Sequence, residues 1–183
     1  MHGRILLTAA VAAAWTVTAG AAQAPVVSVR NAGNGVYAIV ARFAVPQPAA
    51  IAHAVLTDYP NIPRFMPGVR TSRILEQTDA GVRLEQEAVS KFMMFSRTVH
   101  LVLDVEESAS AIRFRDVCNK SFVIYDGSWT LTSHESGTDL VYELTAKPAF
   151  SVPGAVLKRL LERDSREMIE SLRAEITTRA MAR

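Results

Sequence analysis

The chain has 183 residues, 49% of them hydrophobic and 21% charged, with a formal net charge of +2. That is enough chain for one domain with a real core, and a charge so close to neutral is not the footprint of a nucleic-acid-binding protein. The one cysteine, Cys118, cannot close an internal disulfide, and with no histidine near it in sequence it reads as a buried thiol and not a nucleophile.

The N-terminus has the three parts of an export signal. Arg4 precedes the apolar run ILLTAAVAAAWTV, and the small-residue run TAGAAQA follows; the apolar part is too short for a typical spanning helix. Residues 1–22 are therefore expected to be a cleaved signal peptide, with the protein periplasmic or secreted. Ala22-Gln23-Ala24 has the right sizes for the cleavage rule, but Pro25 would follow that cut, which moves the expected site to just after Ala21 or Ala22. Loss of Arg4 with the signal lowers the charge by one.

A short lead-in, PVVSVRNAGNG, comes before the domain, which is predicted to span residues 35–180. Val36 to Val45 alternates and is rich in β-branched and aromatic residues, so it reads as a strand, ended by Pro46 and Pro48. AAIAHAVLTD makes a short helix, and the three prolines of YPNIPRFMPG break it around a second half-turn. Six strands are then predicted: VRTSRILE, GVRLEQEAVSK, TVHLVLDVE, AIRFRDV, FVIYDGSWTLTS and DLVYELTAKPAF. Alternation puts Val99, Leu101, Leu103 and Val105 on one face. Trp129 with Leu131, then Leu140, Tyr142 and Leu144, and Ile112 with Phe114 form similar stripes. Last comes an unbroken helix from Pro153 to about Arg179, about 40 Å long, with Leu157, Leu160, Leu161, Met168, Leu172 and Ile176 at helical spacing. A one-sided sheet and a long amphipathic helix predict that the helix lies across the sheet.

The turns sort into two chemical kinds. In an antiparallel meander they alternate between two ends, so EQTDAGV, EESASA and SHESGT share one end and are small and polar. KFMMFSR, CNKSFV and KPAFSVPG share the other and carry Phe92, Met93, Met94, Phe95, Phe122 and Phe150. Hairpin geometry requires none of these apolar residues. They are candidate gate residues at an apolar mouth, with transient membrane contact there.

Three stretches carry a family resemblance. Val55 to Pro67 (VLTDYPNIPRFMP) resembles the V-x-D-x-x-x-Y-P-x-F-x-P opening of coenzyme-Q-binding START-like and polyketide-cyclase-like proteins. Gly127-Ser128-Trp129-Thr130-Leu131 resembles their G-x-W-x-aliphatic strand, and Phe150-Ser151-Val152-Pro153 resembles their last junction. The resemblance covers Val36 to Arg179 and identifies the START-like (SRPBCC) superfamily more than any one branch. Pro67-Gly68 stands where the coenzyme-Q group commonly has Trp-Cys, a departure that argues against a quinone.

The resemblance implies an α+β helix-grip fold. A curved antiparallel sheet would wrap around the long C-terminal helix, with two short helices after the first strand and a deep apolar cavity between sheet and helix. Candidate ligand-binding residues are Leu101, Leu103, Phe114, Trp129, Tyr142, Leu157, Leu161, Asp164 and Met168. Asp164 sits within the apolar stripe of the helix, where a carboxylate must pair, hydrogen-bond or titrate upward. It is a polar anchor in the cavity, a partly exposed residue at a flaring helix edge, or one bonded to a tyrosine hydroxyl such as Tyr142.

No catalytic set is evident. His53, His100 and His134 have no metal-ligand spacing, and no G-x-S-x-G, H-E-x-x-H or phosphate loop occurs. No cofactor, metal or nucleic-acid partner is expected. The leading expectation is a monomeric, exported START-like protein that carries a hydrophobic small molecule such as a lipid or isoprenoid. The alternative is a cyclase or aromatase-like enzyme working in the same cavity.

Overall fold

The computed structural model describes residues 24–79, 81–92 and 95–182. Eight strands form one antiparallel sheet: β1 (Val26–Gly33), β2 (Val36–Val45), β3 (Val69–Thr78), β4 (Gly81–Phe92), β5 (Phe95–Ser108), β6 (Ala111–Asp116), β7 (Phe122–His134) and β8 (Gly137–Pro148). Between β2 and β3 come helix α1 (Ala49–Leu56), a 3-10 turn (Tyr59–Asn61) and helix α2 (Ile62–Phe65). Helix α3 (Gly154–Met181) ends the fold. The order across the sheet is β1-β2-β8-β7-β6-β5-β4-β3, which is the expected helix-grip arrangement with one strand more than the sequence reading counted.

The extra strand is the lead-in. Val26–Gly33 pairs with β2, from Val26↔Arg42 to Gly33↔Val36, so the sheet begins ahead of residue 35. The connection is a two-residue turn with Asn34 at φ 52° and Gly35 at φ 75°. Both angles are left-handed, as the right-twisting hairpin requires, and the Gly33 N–H donates to the Asn31 side chain at 2.8 Å. The expected signal peptide, residues 1–22, lies outside the described residues.

The strand faces follow the predicted alternation. Leu101, Leu103, Val105, Ile112, Trp129, Leu131, Leu140, Tyr142 and Leu144 are all buried on the concave side. Helix α3 turns Leu157, Ile169, Leu172 and Ile176 inward. It approaches β1, β2 and α1 closely, so it lies over one side of the sheet while β3–β6 curl up on the other. Bulges assist the curl: register shifts occur in β3–β4 between Val69 and Thr71 and between Ile74 and Glu76, and a bulge bends the strand that carries it.

Polar bonds stitch the end of the barrel where α1 begins. The His53 Nε2 donates to the Ser108 carbonyl at 3.0 Å, and the Tyr59 hydroxyl donates to Glu107 at 2.7 Å. Arg179 at the far end of α3 pairs with Asp58 at 2.7 Å. The β6–β7 turn at the other end is organised by buried Asp116, whose carboxylate accepts from the backbone N–H of Val102, Cys118 and Asn119 at 2.9–3.2 Å. Cys118 is half-buried and its thiol also faces Asp116.

Gly127, first residue of the G-x-W strand motif, has a packing reason to lack a side chain. A Cβ there would come within 2.6 Å of the Phe114 ring and 2.6 Å of the Glu143 carbonyl oxygen. Phe114 in turn stacks on Tyr142 (6.2 Å, 18°). Tyr125 and Tyr142 lie close enough to influence each other, and burial is the main cause that pushes both phenols above the usual tyrosine range. Burial, with the Glu107 hydrogen bond second, does the same to Tyr59.

Two outcomes are expected. Gly127→Ala should lower stability by about 1–3 kcal/mol, because the ring and a strand carbonyl must both move; an unchanged denaturant midpoint would contradict the packing. The three phenols have folded-state pKa values above the unfolded value of about 10, so the folded chain keeps protons that the unfolded chain releases. Stability should be undiminished by these groups below about pH 10 and should fall as pH rises beyond it. Tyr142→Phe should make that alkaline loss shallower, read by denaturation at stepped pH.

Candidate ligand cavity

The space left between the curled sheet and α3 is a cavity of two joined chambers. The inner one is about 170 Å³ and the outer about 630 Å³. Met66, Val69, Gln86, Tyr125, Tyr142 and Met168 line both and so form the neck between them. The inner chamber runs towards the stitched end, where Tyr59 lies against it. The outer chamber reaches the opposite end, past Gly68, Ser90, Phe122 and Phe150.

The residues singled out from sequence come together here. Leu103, Phe114 and Trp129 line the inner chamber, and Leu101, Leu157, Leu161 and Asp164 line the outer one. Tyr142 and Met168 belong to the neck. Trp129 is buried, edge-on to Phe43 (6.3 Å, 87°) and against Tyr142 (4.6 Å), so it is both core and wall. Of the expected gate, Phe122 and Phe150 line the outer chamber. Met93 and Met94 lie outside the described residues, and Phe92 and Phe95 are described only as the last backbone pair between β4 and β5.

Asp164 occupies the rim. Its side chain is 39% exposed and ion-paired with Arg163 at 2.6 Å. It accepts from the Ser90 hydroxyl of β4 at 2.9 Å, a bond that spans the outer chamber from helix to sheet. The tyrosine partner considered for it does not apply, because its carboxylate is taken by Ser90 and Arg163.

Several polar cavity residues were missed, Gln86, Tyr125 and Ser90 among them. Gln86 follows Val82 and Leu84 on the inward side of β4 and donates to Ser72 at 3.2 Å. Tyr125 is in phase with Gly127 and Trp129 on β7. Alternation pointed to Gln86 and Tyr125; a search for apolar stripes passes over them. Ser90 had no sequence signal, since its role depends on the distant Asp164.

His100 faces outward beside Glu85 (3.5 Å) and Glu87 (3.7 Å), and His134 is in the polar β7–β8 turn near Asp139. Among the described residues no group of three or more His, Cys, Asp or Glu converges as metal ligands would. What the cavity offers chemically is long apolar walls, a neck with an amide and two protonated phenols, and an ion-paired carboxylate at the rim.

Residues 45–173 match the profile of a family described as polyketide cyclase / dehydrase and lipid transport. No curated protein matches the chain in sequence. Among solved structures, a STAR-related lipid transfer protein fragment from Xanthomonas axonopodis is similar (17% identity, 82% of this chain and 98% of that one, TM-score 0.65). So is the Zhui aromatase/cyclase from a Streptomyces species (14% identity, 79% and 96%, TM-score 0.69). A START superfamily protein from Mycobacterium smegmatis aligns comparably (15% identity, 77% and 97%, TM-score 0.67). At these identities the likeness is one of fold. The profile match, by contrast, runs from the end of β2 into the second half of α3, and the chain belongs to the polyketide cyclase/dehydrase and lipid transport family.

Proposed function

We propose that this protein binds a hydrophobic small molecule, such as a lipid or isoprenoid, in the two-chambered cavity and carries it as a monomer outside the cytoplasm, once residues 1–22 have been removed. The observation that carries this reading is the shape and lining of the cavity. A long apolar space opens at one end, and the amide and phenols at its neck suit a ligand with one polar group between two apolar parts. Loading and release would take place at the open end, in passing contact with a membrane, and the reading needs no cofactor.

A second reading, a cyclase or aromatase-like enzyme, is favoured by one feature. The Tyr125–Tyr142 pair keeps two phenols protonated within the cavity, where a hydroxyl could hydrogen-bond a substrate carbonyl and stabilise an enolate. The two readings separate on turnover: a carrier should keep its ligand unchanged, and loss of product formation in Tyr142→Phe at unchanged melting would favour the enzyme.

Two measurements test the carrier. Native mass spectrometry of protein recovered from an exporting host should find a co-purifying lipid mass on a chain that begins between residues 21 and 25; protein free of any small molecule, and unable to take one up, would refute it. Met168→Trp should fill the neck. Long-chain fatty acids should then bind at least about tenfold more weakly, while short-chain ones that fit the outer chamber bind as before. Equal losses for both lengths would mean that the neck does not divide the site.

A further inference from the structure

The near-neutral charge of the chain conceals a separation of charge along the barrel. At the stitched end the three turns, residues 76–81, 106–110 and 134–139, contain acidic residues and no Lys or Arg, and the arginines beside them, Arg83 and Arg179, are ion-paired with Glu76 and Asp58. At the open end the pattern reverses. Residues 66–70, 95–98, 117–122 and 146–159 carry Arg70, Arg97, Lys120, Lys147, Lys158 and Arg159 and no Asp or Glu; of the carboxylates beside them, Asp116 is buried on backbone N–H groups, and Asp164 and Glu167 are paired with Arg163. Among the described residues only Lys158 of these six has a carboxylate partner, Glu162 at 3.7 Å. The Arg97 guanidinium lies 3.7 Å from the ring centroid of Phe150, which places a cation directly on the wall of the mouth.

Aliphatic side chains stand among these cations. The β7–β8 register shifts between Phe122 and Ile124. The bulge turns Phe122 inward, leaves Val123 53% exposed and Ile124 37% exposed, and sets Ile124 opposite Lys147. A regular strand would have put one of the two neighbours inside. Val117, 38% exposed in the adjoining turn, extends the patch.

From this placement we propose that the open end is a docking surface for an anionic lipid bilayer. The cations would approach the headgroups, and Val117, Val123 and Ile124 would enter the interface. The proposal rests on the carrier reading for its purpose, since it delivers the cavity mouth to the source of a hydrophobic ligand. A bilayer fits better than a nucleic acid, because aliphatic residues interleaved with cations gain from headgroup and acyl chain together, whereas a polyanion groove would call for cations and stacking rings. Each Lys or Arg held near an anionic leaflet strengthens binding about fivefold, so the rim outweighs what a net charge of +2 suggests.

The test uses the full mature chain with vesicles of phosphatidylcholine alone or with added phosphatidylglycerol. The protein should float with the anionic vesicles and not the neutral ones, and binding should drop at least about tenfold in about 1 M salt, where the Debye length is about 3 Å. Lys120→Glu with Lys147→Glu should weaken anionic-vesicle binding at least about tenfold at unchanged melting. Val123→Ser with Ile124→Ser should weaken the binding that survives high salt. Equal flotation with both vesicles, or no effect of the charge reversal, would overturn the proposal. So would DNA-duplex binding as tight as vesicle binding and indifferent to Val123→Ser with Ile124→Ser. Uptake of a fluorescent fatty acid in vesicle-free solution reads the cavity separately. Docking with no uptake supports the surface and removes the carrier, and uptake with no docking removes the surface and leaves the carrier.

Discussion

The structure depends on a mismatch of widths. Eight strands spaced about 4.8 Å apart make an apolar face more than 30 Å across, and one α-helix covers a strip about 10 Å wide. Curling the sheet reduces the deficit, and α1 with the 3-10 turn closes one end. Helix α3 then lies towards the β1–β2 side, and the apolar face of the β3–β6 side is left looking into space. Close packing of side chains would normally remove such space. Here β4 and β5 lie away from α3 along most of their length, and the Ser90–Asp164 bond joins β4 to the helix across the outer chamber. The cavity is therefore a direct result of the sheet-to-helix ratio and not an accident of one missing side chain.

Within that space the polar groups are few and paired. Gln86 has Ser72, and Asp164 has Ser90 and Arg163. Pairing allows an apolar cavity to hold polar atoms without leaving them unsatisfied. It also means that a ligand hydroxyl or carbonyl must compete with or extend an existing hydrogen bond, which selects for ligands whose polar group reaches the neck.

How much could be read from residues alone depended on the kind of signal. The unbroken run of α3 and the stripe Val99-Leu101-Leu103-Val105 are periodic signals, and they placed the sheet and the helix correctly. Strand β1 was lost because VVSV is short and follows Pro25, although Asn34-Gly35 carried the hairpin signal. The alternatives for Asp164 stayed open because the apolar stripe was centred without Ser165 and Ile169. With those two buried residues included, Asp164 lies about 100° off the centre line and comes out at the rim. The bulge at Val123 is a property of register between two strands, and neither strand alone announces it.

The pairing of β2 with β8 has a consequence for how the cavity comes into being. The meander from β3 to β8 is built from neighbouring hairpins whose loops close quickly, but β2 must wait for β8, and Tyr37 reaches Gly154 across 117 residues to donate its hydroxyl to the helix carbonyl at 3.3 Å. Contacts of such separation form late and slow the folding of a chain. The walls would be in place before the helix and the first hairpin enclose them, so the pocket is among the last features completed. A ligand that recognises only the enclosed state then has little influence on the rate of folding. Its effect falls on the reverse step, where it holds the finished barrel shut and lengthens the life of the native state.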